Sequence, residues 1–92
     1  MNETPFKTHI KIILVEDDID SGEAIQDMLE SRGATVHLTP DAEGARKALA
    51  NDAYDAVVSD VRLDGMSGVD LLRLIRKDRG DEFPVILITG FD

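Results

Sequence analysis

The sequence predicts an α/β fold: a doubly wound parallel sheet with helices on both faces. Three observations carry this expectation. Short apolar, β-branched runs recur at residues 10–15, 55–59 and 85–88. Runs that are apolar on both faces suit central parallel strands covered from both sides. Helix-like segments separate them, so the pattern reads βαβαβαβ, and that alternation implies right-handed crossovers within one sheet.

The first strand, 10–15, runs into Glu16-Asp17-Asp18. A helix is expected over 18–32, where Ile25, Met28, Leu29 and Arg32 fall at helical spacing and Glu23, Gln26, Asp27 and Glu30 lie opposite. Its acidic start complements the helix dipole, and Gly33 is placed as its C-cap. Residues 34–38 read as a short strand with Val36 and Leu38 inward. Pro40-Asp41 opens a second helix with Asp41 as N-cap. Ala42, Ala45, Ala48 and Leu49 form its narrow apolar stripe, and Asn51-Asp52 end it. The third strand, 55–59, runs into Asp60. A loop containing Gly65 and Gly68 then leads to a helix from about Ser67 to Lys77, expected to bury Val69, Leu72 and Ile75. Gly80-Asp81 breaks it. Pro84 is expected as the first residue of the fourth strand, a permitted place for proline.

Ninety-two residues suit one small domain. Residues 1–9 read as a flexible lead-in to a domain spanning 10–92. The net charge is −9, ten Lys and Arg against nineteen Asp and Glu. That balance disfavours direct binding to nucleic acid or anionic lipid, both of which reward basic patches. Two explanations of the acidity stay open here: a solvated surface, or clustered carboxylates that need a cation. The absence of Cys excludes disulfides and thiolate metal sites. The longest apolar run, four residues, is far too short to span a membrane. The N-terminus lacks the apolar core of a signal peptide, so the cytoplasm is the expected compartment.

The chemistry-bearing residues sit where strands end. If the three runs are parallel strands of one sheet, Glu16, Asp17, Asp60 and Thr89 share its C-terminal edge, where open α/β sheets bind ligands. Carboxylates pressed together repel one another, and a divalent cation removes that penalty. Mg²⁺ suits oxygen-only ligands and needs one or two carboxylates besides substrate oxygens. An Asp beside such an ion can attack phosphorus and form an acyl phosphate. Taken singly, each residue also has a plainer explanation. Glu16-Asp17-Asp18 can be an acidic helix start, Asp60 a turn residue, Thr89 a strand residue, and Asp18 and Asp20 capping groups. Asp64 reads as solvated loop, and His9 and His37 as surface residues. Arg73, Arg76, Lys77 and Arg79 read as balancing the acidic surface and a helix C-terminus.

With Ile13–Asp18, Ser59–Gly68 and Pro84–Gly90 together, the chain from Ile10 to Phe91 resembles the CheY-like receiver domains of two-component response regulators. The resemblance implies a flavodoxin-like sheet of strand order 2-1-3-4. It implies that Asp60 takes a phosphoryl group from the phosphohistidine of a sensor histidine kinase or phosphotransfer protein. By the same resemblance, Mg²⁺ is held by Asp17 and Asp60, by Glu16 through water, and by the backbone carbonyl of Arg62. Thr89 is then the switch hydroxyl that bonds the phosphoryl oxygen. Gly90 leaves the site open, and Gly68 lets the loop turn into the third helix.

The chain departs from the family pattern in several places. Asp64 stands where the family usually has proline. Arg62 and Phe91 occupy positions that tune the phosphoryl lifetime. The family's fourth helix, fifth strand and fifth helix, roughly 30 residues at average element lengths, have no counterpart in these 92 residues. The fifth strand's Lys, which pairs with the phosphoryl group, is therefore missing as well. Residues 10–92 thus read as a C-terminally incomplete receiver whose strand 85–88 is an exposed edge, available for self-association. Two rival functions follow: an interaction module or fragment that keeps the fold without the chemistry, and a Mg²⁺-dependent aspartyl-phosphate phosphohydrolase. The latter needs two Asp two residues apart after the first strand, a spacing found only in Asp18-Ile19-Asp20.

Overall fold

The computed structural model describes residues 9–63 and 65–88. It contains β1 (Lys11–Val15), α1 (Ile19–Glu30), β2 (Thr35–Thr39), α2 (Ala42–Asn51), β3 (Ala56–Asp60), α3 (Gly68–Arg79) and β4 (Val85–Ile88). The four strands form one parallel sheet in the order β2-β1-β3-β4, as expected. The register pairs Val15 with both Thr39 and Ser59, and Asp60 with Ile88. The ends of β1 and β3 are therefore level at the sheet's C-terminal edge.

Strand alternation sorts the core into two layers. Ile13, Val15 and Val57 point to one face and pack with Ala42, Ala45 and Leu49 of α2 and Leu71 and Ile75 of α3. Ile12, Leu14, Val36 and Val58 point to the other, against Ile25 and Leu29 of α1. Two helices cover the first face, whereas among the described residues α1 alone covers the second. That asymmetry leaves Met28 and Ile86 more than half exposed.

Each helix starts on a side-chain cap. Asp18 accepts the Ser21 N–H at 2.9 Å, Asp41 the Gly44 N–H at 2.8 Å, and Ser67 the Asp70 N–H at 3.1 Å. These bonds satisfy amide groups that have no partner within their helix.

Several boundaries and faces differ from expectation. The first helix spans 19–30, not 18–32: Asp18 is its N-cap and Ser31 its C-cap. Gly33 is not that cap. It lies two residues beyond, at φ +103°, in the turn into β2. Arg32 is exposed outside the helix, and Met28 faces the side of α1 that no other described helix covers. Asp60 is the last residue of β3 itself. Pro84 precedes β4, and its carbonyl accepts the Val57 N–H at 3.0 Å.

The third helix buries Gly68, Leu71 and Ile75, while Val69 is exposed and Leu72 half-buried. The expected set advanced by three residues twice and so drifted around the helix. The observed spacing of three then four keeps to one face. Packing of Gly68 against the end of β3 sets this rotation. The basic run late in α3 also acts specifically. Arg76 donates to the Phe83 carbonyl and Arg79 to the Leu49 carbonyl, tying α3 to the β4 approach and to α2.

Candidate functional site

The site is built where β1 and β3 stop. Glu16 follows β1 directly, and its N–H donates to the Thr39 carbonyl at 3.0 Å, which holds the chain at the sheet edge. Asp17 is exposed, whereas Glu16 and Asp60 are buried. One carboxylate oxygen from each of Glu16, Asp17 and Asp60 lies within 4.8 Å of the others. Three residues expected to converge from two strand ends therefore do so.

Backbone groups orient two of these carboxylates. Asp60 Oδ1 accepts the Arg62 N–H at 3.0 Å, and Glu16 Oε2 accepts the Asp18 N–H at 3.0 Å. Burial pushes the Glu16 carboxyl above the usual range; the Asp18 N–H counters this, and the charges of Asp60 and Asp17 add to it. The neighbouring Asp18 carboxyl is held below the usual range by the Ser21 donors. Asp18 is thereby committed to capping α1 and Asp20 is exposed in its first turn, so the Asp18-Ile19-Asp20 spacing forms no carboxylate pair within the acidic cluster.

All-oxygen donors, two buried carboxylates and a raised Glu16 pKa fit a hard divalent cation. The sign of the linkage follows from the raised pKa. The folded chain holds the Glu16 proton more tightly than the unfolded chain. The metal-free fold is therefore favoured below the ordinary Glu pKa and loses that contribution as pH rises through the raised one. Glu16→Gln should abolish this dependence. Its amide can still accept from Asp18 and can now donate to Asp60, a bond worth about 1 kcal/mol net. By calorimetry at neutral pH without metal, the variant should melt about 4–8 °C higher. Its Mg²⁺ affinity should fall about 10–100-fold. A lower metal-free midpoint would show that Glu16 supports the fold rather than straining it.

The loop after Asp60 returns at once to the strand end. Val61 donates to the Ile88 carbonyl at 2.9 Å, and the Gly68 N–H donates to the Val61 carbonyl at 2.7 Å. A Cβ on Gly68 would sit 2.4 Å from the Asp60 carbonyl oxygen and 3.0 Å from Val61 Cα. Gly68 is thus needed for close approach of α3 to the Asp60 backbone, a role beyond the loop turn that the sequence suggested. Beside the acidic cluster a groove of about 900 Å³ runs between α1 and the sheet. Ile25, Met28, Val58 and Ile86 line it, and Arg62 stands at its acidic end. Thr89, Gly90, Phe91 and Asp64 lie outside the described residues, as does 1–8 of the expected lead-in.

A family model described as the response regulator receiver domain matches residues 12–92. The C4-dicarboxylate transport transcriptional regulatory protein DctD of Pseudomonas aeruginosa is 36% identical over 86 residues, covering 94% of this chain and 18% of that protein. The response regulator protein FleR of the same organism is 42% identical over 81 residues, covering 88% of this chain and 17% of that protein. The chain therefore spans about a fifth of the length of these relatives. Among solved structures, a response regulator receiver protein from Pseudomonas putida superposes with a TM-score of 0.83 at 27% identity, over 95% of this chain and 73% of that one. The response regulator TrrA from Thermotoga maritima, in complex with Mg²⁺ and beryllofluoride, superposes with a TM-score of 0.83 at 28% identity, over 90% of this chain and 71% of that one.

Proposed function

Because the chain belongs to the response regulator receiver-domain family, we propose that it accepts a phosphoryl group on Asp60 from the phosphohistidine of a sensor histidine kinase or phosphotransfer protein. The observation that carries this is the convergence of the Glu16, Asp17 and Asp60 carboxylates at adjacent strand ends, with Asp60 oriented by the Arg62 N–H. Asp17 and Asp60 would hold Mg²⁺, with Glu16 acting through water and the Arg62 carbonyl completing the protein ligands. The ion, when bound, offsets the carboxylates and the charge of the incoming group.

The chain's own part is nucleophilic. An Asp60 carboxylate oxygen forms the bond to phosphorus. The donor's phosphorus–nitrogen bond breaks, and its electron pair stays on the imidazole, which leaves neutral from its protonated form. Ile88 pairs with Asp60 across the sheet, so Thr89 is the next residue along the chain, and we assign its hydroxyl as donor to a phosphoryl oxygen. Gly90 and Phe91 would modulate access and lifetime.

Receiver domains of this family are regulatory, and the proposal assigns a cytoplasmic acceptor module with no turnover of an external substrate. Among the described residues no helix is long and apolar enough to cross a membrane. The test is intact mass after incubation with Mg²⁺ and acetyl phosphate: one added phosphoryl group is expected, and none when the metal is chelated. Steady release of phosphate from a phosphomonoester would instead favour a phosphohydrolase.

The self-association expected from the sequence also belongs to this proposal. β4 is an edge strand among the described residues, and its four residues Val-Ile-Leu-Ile carry no charge. Such an edge can pair with a second chain. Light scattering should show the mean mass rising with concentration; a constant monomer mass at high concentration would refute the association.

A further inference from the structure

We propose that Gly44 of α2 is a positioning residue for the acidic site: by admitting Thr39 against the first turn of α2 it fixes the Thr39 carbonyl, and through that carbonyl the backbone of Glu16. The consequence for metal binding rests on the reading of Glu16 as a Mg²⁺ ligand through water.

The chain of contacts has three links. Glu16 lies one residue past β1, and its N–H donates to the Thr39 carbonyl at 3.0 Å. Thr39 is the last residue of β2, which pairs only with β1 among the described residues. Pro40 follows it and has no N–H with which to extend the ladder. Support for this strand end therefore comes from α2. Thr39 is buried, and a Cβ on Gly44 would stand 2.0 Å from Thr39 Oγ1 and 3.1 Å from Thr39 Cβ. The Gly44 N–H is itself held by the Asp41 carboxylate at 2.8 Å, so the turn of α2 that meets Thr39 is the capped one.

This support crosses the sheet. Thr39 pairs with Val15, whose side chain packs with Ala42 and Ala45 on the α2 face. Glu16 lines the groove on the α1 face, and no α2 residue does so. The two faces communicate through the backbone bond alone. In Gly44→Ala, a change of Thr39 rotamer would remove the contact with Oγ1 but not the one with Cβ, whose position the backbone sets. The β2 end must then move, and the Thr39 carbonyl with it.

The test compares Gly44→Ala, Thr39→Ala and the double variant, each well below its thermal midpoint. Thr39→Ala removes the hydroxyl and a methyl, and Gly44→Ala adds a methyl. One single variant overfills the contact and the other empties it, and the pair partly refills it. Amide NMR of the metal-free chain reads the Glu16 N–H, with the Arg62 N–H, held by Asp60 Oδ1, as the control. In either single variant the Glu16 amide proton should move upfield and exchange faster while that of Arg62 stays. Calorimetric titration should show Mg²⁺ affinity falling about tenfold in Gly44→Ala, as when support for a metal site is lost. The double variant should restore most of both signals. Ala is the better helix former, so weakening of α2 cannot explain a loss.

An unmoved Glu16 amide in Gly44→Ala would overturn the inference, as would an equal change at Arg62, which indicates general damage. A double variant no better than the singles would also overturn it. If Gly44→Ala does not fold, the comparison of Thr39→Ala with the double variant decides in the same way. A wild-type chain that binds no Mg²⁺ would overturn the metal reading of Glu16, and this inference with it. Wild-type Mg²⁺ binding beside an unmoved Glu16 amide would sink the inference alone.

Discussion

Asp60→Asn should abolish phosphoryl uptake while keeping the fold. With acetyl phosphate and Mg²⁺, the wild-type chain should gain one phosphoryl mass, and the variant should remain several orders of magnitude below it, as expected when a nucleophile is removed. The fold should survive because Asn retains an oxygen to accept the Arg62 N–H, the one backbone bond recorded at the Asp60 carboxylate. The substitution also removes one of three carboxylates crowded within 4.8 Å. The metal-free midpoint should therefore be equal to or above that of the wild type. Phosphorylation retained in Asp60→Asn would place the acceptor elsewhere, with exposed Asp17 the first group to test. A large drop in midpoint would show that Asp60 supports the strand end rather than waiting there as a reactant.

Gly68→Ala should produce the larger loss of stability. Helix propensity alone predicts the opposite, since Ala is favoured over Gly by about 1 kcal/mol in a helix. The new Cβ would stand 2.4 Å from the Asp60 carbonyl oxygen and 3.0 Å from Val61 Cα. Both are backbone atoms of a buried strand end, which cannot turn aside as a flexible side chain can. Overpacking of this kind costs about 1–3 kcal/mol, and contact with rigid backbone places this site at the upper end. A net loss of about 2 kcal/mol would lower the midpoint by about 8–16 °C for a domain of this size. The same displacement moves Asp60, so Mg²⁺ affinity should fall in parallel. A variant as stable as the wild type would show that α3 can tilt away from β3 at little cost.

The strands and the capping of the first two helices were legible in the sequence because they depend on local chemistry. Residues apolar on both faces identified β1 and β3 within one residue. Asp41 announced the start of α2, and Asp18, read as a capping group, does cap α1. Glu16, Asp17 and Asp60 were legible as a cluster because parallel strands align their C-terminal ends whatever the details of packing. The buried face of α3 was not legible. Val69, Leu72 and Ile75 satisfied a periodic pattern as well as Leu71 and Ile75 did, and only the approach of Gly68 to the Asp60 carbonyl selects between the two rotations. Gly33 illustrates a related difficulty. Its positive φ was foreseeable, but the helix frays into a turn at Ser31 before reaching it.

By itself the sequence determined the element order, the parallel sheet and the residues that meet at its C-terminal edge, because alternation and strand length constrain these without reference to distant contacts. Only the tertiary structure decided the electrostatics of that edge and its surroundings. Burial depends on what the other elements cover: Glu16 is shielded and its pKa raised, whereas Asp17, one residue on, is exposed. The groove beside α1 and the placement of Arg62 at its acidic end arise in the same way, from one sheet face covered by two helices and the other by one.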